Sequence, residues 1–360
     1  MACKRVVMPG SRLVAVAMLA LLTSCSPTSV ELGPEPTSTT TASTSTTSTV
    51  LSTTTTSTST TSTSSTTTIP AVLPELQFDE AGVPLNGQSN GVLVSDTGWV
   101  LPILSGLDGG RHRVWTPCGR QADVAGGQVI FDADFVLDPG HGGSEPGAVG
   151  RGGLAEKDLN LAVSEKIRDA LVGAGYSVVM TRESDVRVPI VTRAEIAHAL
   201  DPLAFLSVHF NAGTDARSTT PGTEMYHQID RADSKRLAGL LYEETRAVLD
   251  QFDVPWVALS DAGTTFRPNR AGGDYYGVLR RPAPVLSVLL EFAYLSNPAE
   301  EELVSDPVVQ DQLATAVVIA VERFLETDDP GSGFIDDPIF RGFGPSGAGR
   351  TDDCIDPVLE

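Results

Sequence analysis

Residues 135–143 read FVLDPGHGG. The apolar run 135–137, broken by Asp138-Pro139-Gly140, predicts a short buried strand that leaves through a tight turn and presents His141 just beyond its end. Open α/β sheets place their sites at such strand ends. Glycines continue through Gly153 in the string GHGGSEPGAVGRGG, so the backbone can fold closely around whatever His141 touches, and a helix is predicted from near Glu156. A glycine-rich loop after a strand could cradle phosphate as readily as a metal. A further ligand and a base have to come from elsewhere in the chain.

Working outward, strands and helices alternate over residues 133–327. This pattern predicts an α/β domain with a mixed, largely parallel sheet flanked by helices. Leu159, Val163, Ile167 and Leu171 give a helix over 156–172 one apolar face, and Gly173 and Gly175 end it. Strands are predicted at SVVMTR, AFLSVHF, GTEMYHQ and VLSVLLEF, with helices over 191–200, 232–249 and 311–325. The stretch 253–274 reads as irregular and its part 256–274 as a candidate lid. Residues 71–132 carry short apolar runs punctuated by glycine, which predicts a small β-rich unit. About 60 residues make a marginal independent domain, so this unit should pack on the core. An SH3-like wall-binding module and a plain structural extension fit it equally, Trp99 and Trp115 included. Residues 328–360, rich in Gly, Pro and Asp, are expected to lie along the surface or to move, apart from the point pinned by Cys354.

Residues 1–24 read as an export signal, with Lys4, Arg5 and Arg12 before the apolar run 13–22, which is too short to span a bilayer. Leu22-Thr23-Ser24-Cys25 resembles the lipobox of bacterial lipoproteins, which implies a lipid on Cys25 and a place on the outer face of the cytoplasmic membrane. An ordinary signal peptide with an incidental cysteine is the other reading. Residues 25–70 are dominated by Ser and Thr, with no apolar face to offset the entropy of ordering, and read as a disordered stalk. It could reach on the order of 140 Å at about 3.1 Å per residue. Cys3 lies in the leader and Cys25 is claimed by lipid, which leaves Cys118 and Cys354 to form a disulfide in an oxidising setting, the alternative being two thiols. With 46 acidic against 25 basic side chains and a formal net charge of −21, the chain is a poor match for nucleic acid.

His209 ends an apolar strand in SVHFNAG, and Glu291 ends another in LLEFAYLSNP. If these strands are parallel neighbours of 135–137, both converge with His141 on one rim, and Glu156 reaches it from a helix start. Two imidazoles and a carboxylate suit Zn²⁺, which accepts N and O donors and leaves a position for water. With these residues in view, the chain resembles the zinc-dependent N-acetylmuramoyl-L-alanine amidases of the amidase 3 family. VLDPGHGG, the Glu of GLAEKDLNL, the TR of MTRESD, SVHFNA and LLEFAYLSN stand in the family's order. Phe210 fills a variable position, and Ala197-His198 stands where Ala-Asn is common. The resemblance implies His141, Glu156 and His209 as zinc ligands, Glu291 as the catalytic glutamate, and peptidoglycan as substrate. The bond cut would be the amide joining muramic acid to L-alanine. Asp138 and Asn211, beside the ligand histidines, are candidates to support them or to touch substrate, and Arg280 to meet a stem-peptide carboxylate. Two readings compete: a zinc peptidase acting within the stem peptide, and an inactive amidase fold that binds wall or regulates. The need for an activator protein stays open. His112, His198 and His227 lack motif context and read as structural.

Overall fold

The computed structural model of the protein describes residues 91–339 and 354–360. The expected signal peptide, Cys25 and the stalk lie outside these residues, as do 71–90 and 340–353.

The first region is antiparallel. Strands β1 (Val92–Val94), β2 (Val100–Gly106), β3 (Arg111–Trp115), β4 (Gln121–Ala125) and β5 (Gln128–Ile130) form one sheet in the order β4-β3-β2-β1-β5. The rest of the chain builds around β6 (Phe135–Pro139), α1 (Glu156–Gly173), β7 (Val178–Met180), α2 (Ile190–Leu200), β8 (Ala204–Asn211), β9 (Glu224–His227), α3 (Ala232–Leu249), β10 (Thr264–Thr265), α4 (Gly277–Arg280), β11 (Ser287–Tyr294), α5 (Pro298–Ser305) and α6 (Pro307–Glu326). Its sheet has the order β10-β9-β11-β8-β6-β7. The run β11-β8-β6-β7 is parallel; β9 turns antiparallel to β11, and β10 follows β9. The sheet is therefore mixed and largely parallel, as its pattern predicts.

Both faces of this sheet are covered, which is why its strands read as continuous apolar runs rather than alternating ones. On one face Phe135, Leu137, Leu206, Val208, Phe210, Leu290 and Phe292 meet Leu159, Val163 and Ile167 of α1 and Leu313 and Val317 of α6. On the other, Val136, Phe205 and Leu289 meet Ile196, Ala197 and Leu200 of α2, joined by Val92 and Val100 from the small sheet. The β-rich unit thus packs on the core through α2, and the Thr192 hydroxyl donates to the Pro117 carbonyl across that seam.

Three expectations are corrected. The final helix starts at Pro307, four residues early, and a separate α5 precedes it. Asn297 and Asp306 cap these helices by accepting from Ala299 and Val308, each with proline in the first helical turn, so the Asn-Pro and Asp-Pro pairs carried the signal. The stretch 253–274 is not wholly a loop: Thr264 and Thr265 are fully buried as the edge strand β10. The tail is not merely superficial. Thr264 exchanges main-chain hydrogen bonds with Gly333 and Ile335, and Ile339 is only 2% exposed.

At the other end of the tail, Cys354 is joined to Cys118 by the expected disulfide. The last residues go further than that bond. Asp356 accepts from the Cys118 amide and from Arg120, the Thr97 hydroxyl donates to the Val358 and Leu359 carbonyls, and Glu360 accepts from the Ala125 amide.

Candidate active site and metal centre

The parallel strands deliver three of the predicted residues to one rim. Asp138 and Pro139 of β6 pair in register with Ser207 and Val208 of β8, so His141 and His209 emerge next to each other, with ring centroids 4.9 Å apart. Glu291 of β11 pairs in register with His209. Glu156 comes from the first residue of α1, where its charge also complements the helix dipole.

His141 Nε2 lies 3.3 Å from Glu156 Oε2, and His209 Nδ1 lies 2.8 Å from Glu156 Oε1. One donor atom from each of the three falls within 4.8 Å of the others. The donor set is two imidazole nitrogens and a carboxylate oxygen, and it fits zinc. Burial alone would raise the Glu156 carboxyl, but hydrogen bonds with the two imidazoles outweigh it and hold the group well below the usual range. Burial lowers the His209 imidazole, with Glu156 opposing the shift. A neutral imidazole beside an ionised carboxylate is the protonation state a cation requires. Two glycines make the approach possible. A Cβ at Gly140 would lie 2.1 Å from the His209 ring, and one at Gly147 2.4 Å from Glu156 Oε2.

What holds this rim was only partly legible in sequence. His141 has φ of 60°, a conformation rare outside glycine, and it persists because two buried arginines grip its loop. Arg193 donates to the carbonyls of Pro139 (2.7 Å) and His141 (2.6 Å) and pairs with Asp138, while Arg182 donates to the carbonyls of Pro139 and Gly140 (both 2.9 Å). Asp138 therefore does not touch the histidine rings. It is fully buried, accepts from Thr181, Ser207 and Arg193, and supports His141 through Arg193. Burial would raise its carboxyl, yet the Arg193 guanidinium and the two hydroxyls hold it below the usual value. Arg182 was visible as part of a motif, but Arg193 sits in the first turn of α2 and only the fold turns it toward the loop. Asn160, one turn beyond Glu156, donates to the Gly140 carbonyl (3.1 Å) and approaches Glu156 Oε1 (3.4 Å).

The family model described as N-acetylmuramoyl-L-alanine amidase matches residues 135–323, which carry this entire rim. The chain belongs to that amidase family. Among curated relatives, AmiC of Neisseria meningitidis is 31% identical over 54% of the chain and 53% of its own length. The chain thus spans about half of that relative. AmiA of Escherichia coli is 30% identical over 58% of the chain and 80% of its own length. Among solved structures, the amidase AmiC2 of Nostoc punctiforme aligns at 28% identity over 53% of the chain and 96% of its own, with a TM-score of 0.43.

Within this amidase domain the remaining candidates fall differently. Asn211 ends β8; its side chain accepts from the Ala212 amide and its carbonyl from Leu295, so it shapes the rim beside His209. Arg280, on the short α4, donates to the carbonyls of Asp274 and Tyr275 and anchors their loop. Glu224, not singled out in sequence, is fully buried opposite Glu291 in register and accepts from the hydroxyls of Tyr226 and Tyr294. His112 and His198 are structural, as expected: His112 is buried in β3 and His198 faces the Pro282 carbonyl. His227 is buried on Phe266, with Nδ1 on the Gln228 carbonyl.

Proposed function

We propose that this protein is a zinc-dependent N-acetylmuramoyl-L-alanine amidase that cuts peptidoglycan between muramic acid and the first residue of the stem peptide. The observation that carries the reading is the convergence of His141, Glu156 and His209, donor atoms within 4.8 Å of one another, with Glu291 in register beside His209. His141, Glu156 and His209 would hold the metal. Zinc there supplies a Lewis acid for the amide carbonyl and lowers the pKa of water to about 7.

The chain's own residues supply the rest. An amide resists hydrolysis because its carbonyl is resonance-stabilised and its nitrogen leaves poorly, so a proton must be removed from water and returned to the leaving nitrogen. Glu291, half-buried within β11 and in register beside His209, is the group in position to carry that proton both ways. Asn211 at the rim is the candidate contact for substrate, and Asp138 acts through Arg193 to fix His141. Export by residues 1–24, lipid on Cys25 and a stalk over 25–70 would place the domain at the outer face of the cytoplasmic membrane, within reach of the wall. Among the described residues no helix is long and apolar enough to cross a membrane.

The test is digestion of purified muropeptides by the exported chain, with and without chelator, beside Glu291→Gln, read by mass spectrometry. Free stem peptide with an N-terminal L-alanine, lost with chelator and restored by zinc, is the expected result. Cleavage inside the stem, or zinc bound with no peptide released, would overturn it.

A further inference from the structure

Glu156 is the one metal-ligand candidate carried by a helix, the other two lying in or just beyond a strand, and the start of α1 carries no side-chain cap, because Ala155 occupies that position. Something else has to fix where Glu156 points. Residues 148–156 form a small hairpin. Glu156 N–H donates to the Ala148 carbonyl (2.8 Å), and the Ala148 N–H donates back to Glu156 Oε2 (2.7 Å). Val149 bridges Ala155, and Gly150 N–H donates to the Leu154 carbonyl (2.9 Å). Glu156 is the base of this hairpin and Gly150–Gly153 its tip.

The tip is held from across the fold. Glu301 of α5, 5% exposed, accepts from the main-chain N–H groups of Gly152 (2.8 Å) and Leu154 (3.1 Å). A carboxylate so far from water is costly unless hydrogen-bonded, and bonds to an ionised acceptor are about twice as strong as neutral ones. The carboxylate fills the space where a side chain at position 150 would begin: a Cβ on Gly150 would lie 2.2 Å from Glu301 Oε1, although the backbone of Gly150 is outside the left-handed region. Glycine there is required by Glu301 and not by its own dihedrals. Because α5 follows directly on β11, the same segment that carries Glu291 also braces the hairpin that carries Glu156.

We propose that Glu301 is a positioning residue that sets Glu156 for the metal through the 148–156 hairpin. The inference rests on the zinc reading above. Its test measures zinc affinity of the full exported chain by competition with a chromophoric chelator, together with the thermal midpoint of the zinc-free protein. The variants are Glu301→Ala, Glu301→Gln, Gly150→Ala, Gly150→Ala with Glu301→Ala, and the exposed neighbour Glu302→Gln as control.

Glu301→Ala and Gly150→Ala should each weaken zinc binding by about 10-fold, the lower end of the range for residues that orient a ligand. Gln keeps one acceptor but turns an NH₂ toward the other N–H, so Glu301→Gln should fall between parent and Ala. Once Glu301 is removed, Gly150→Ala should add no more than about a twofold change, because the clash is gone. Hydrogen exchange at the Gly152 and Leu154 amides should accelerate in both Glu301 variants whether or not zinc is present. Zinc affinity within about twofold of the parent in every variant, with only the thermal midpoint lowered, would make Glu301 a structural brace and overturn the proposal. A parent chain that binds no zinc would instead sink the metal reading itself.

Discussion

The two sheets reach stability by different means. The six-stranded sheet is covered on both faces by helices and buries Phe135, Phe205, Phe210 and Phe292 almost completely. The five-stranded sheet has a private core of five buried residues, Leu93, Leu101, Ile103, Val114 and Val124. It borrows the rest: one edge of its apolar surface joins the α2 cluster, a disulfide ties it to Cys354, and residues 354–360 dock along it by hydrogen bonds. A large two-sided core can carry a strained residue such as His141 on its rim, because the loop is over-determined from beneath. A small sheet has no such reserve and is held by staples.

Four substitutions separate these two modes, and the largest effect should come from chemistry alone. Glu291→Gln removes the proposed proton carrier without touching either core, and kcat should fall by about 10²–10⁴-fold with an unchanged melting temperature. A variant that melts early would mean that Glu291 also braces the rim.

Asp138→Asn attacks the larger core at the support of its strained loop. Leaving Arg193 buried without its counter-charge should cost roughly 3–5 kcal/mol by denaturant titration. The pH dependence has a definite sign. The folded carboxyl of Asp138 is held below its unfolded value, so its stabilisation is complete above the unfolded value, about 3.9, and is lost as pH falls through the folded one. The gap between parent and variant should therefore be constant near neutrality and close only in acid.

Cys354→Ser attacks the staple of the smaller sheet. Opening a cross-link between residues separated by 236 positions should cost about 2–5 kcal/mol. Amide exchange should rise first in β3 and β4 while amidase activity persists; parallel loss of both would show that the two sheets unfold as one. Thr97→Val, which removes the hydroxyl's bonds to the Val358 and Leu359 carbonyls, should be the mildest, about 0.5–1 kcal/mol, and should loosen residues 354–360 alone.

Legibility in sequence followed the range of the interaction. His141, His209 and Glu291 could be placed because each follows an apolar run, a local signal, although only His141 lies beyond its strand: β8 runs on to Asn211 and β11 to Tyr294. Glu156 was legible as a helix start within a recurring motif. Arg193 was not, because nothing in IVTRAEIAHAL distinguishes a surface arginine from one aimed at the Asp138 loop; that depends on which face of α2 meets the sheet. Nothing in NPAEEELVS sets Glu301 apart from its acidic neighbours, and β10 was hidden by its length of two residues. Arg280 was legible only as a charge, and that its Nη1 donates to the Asp274 and Tyr275 carbonyls is a property of the fold.

By itself the sequence determined the alternation of elements, the buried strands, the candidate metal donors and the expected pairing of Cys118 with Cys354, since periodicity, turn residues, recurring motifs and a short inventory of cysteines are properties of the chain. The tertiary structure decided which residues hold those donors in place. Hydrogen bonds between Arg193 and the His141 carbonyl, or between Glu301 and the Leu154 amide, join positions far apart in the chain, and only the packing of α2 and α5 brings them within reach.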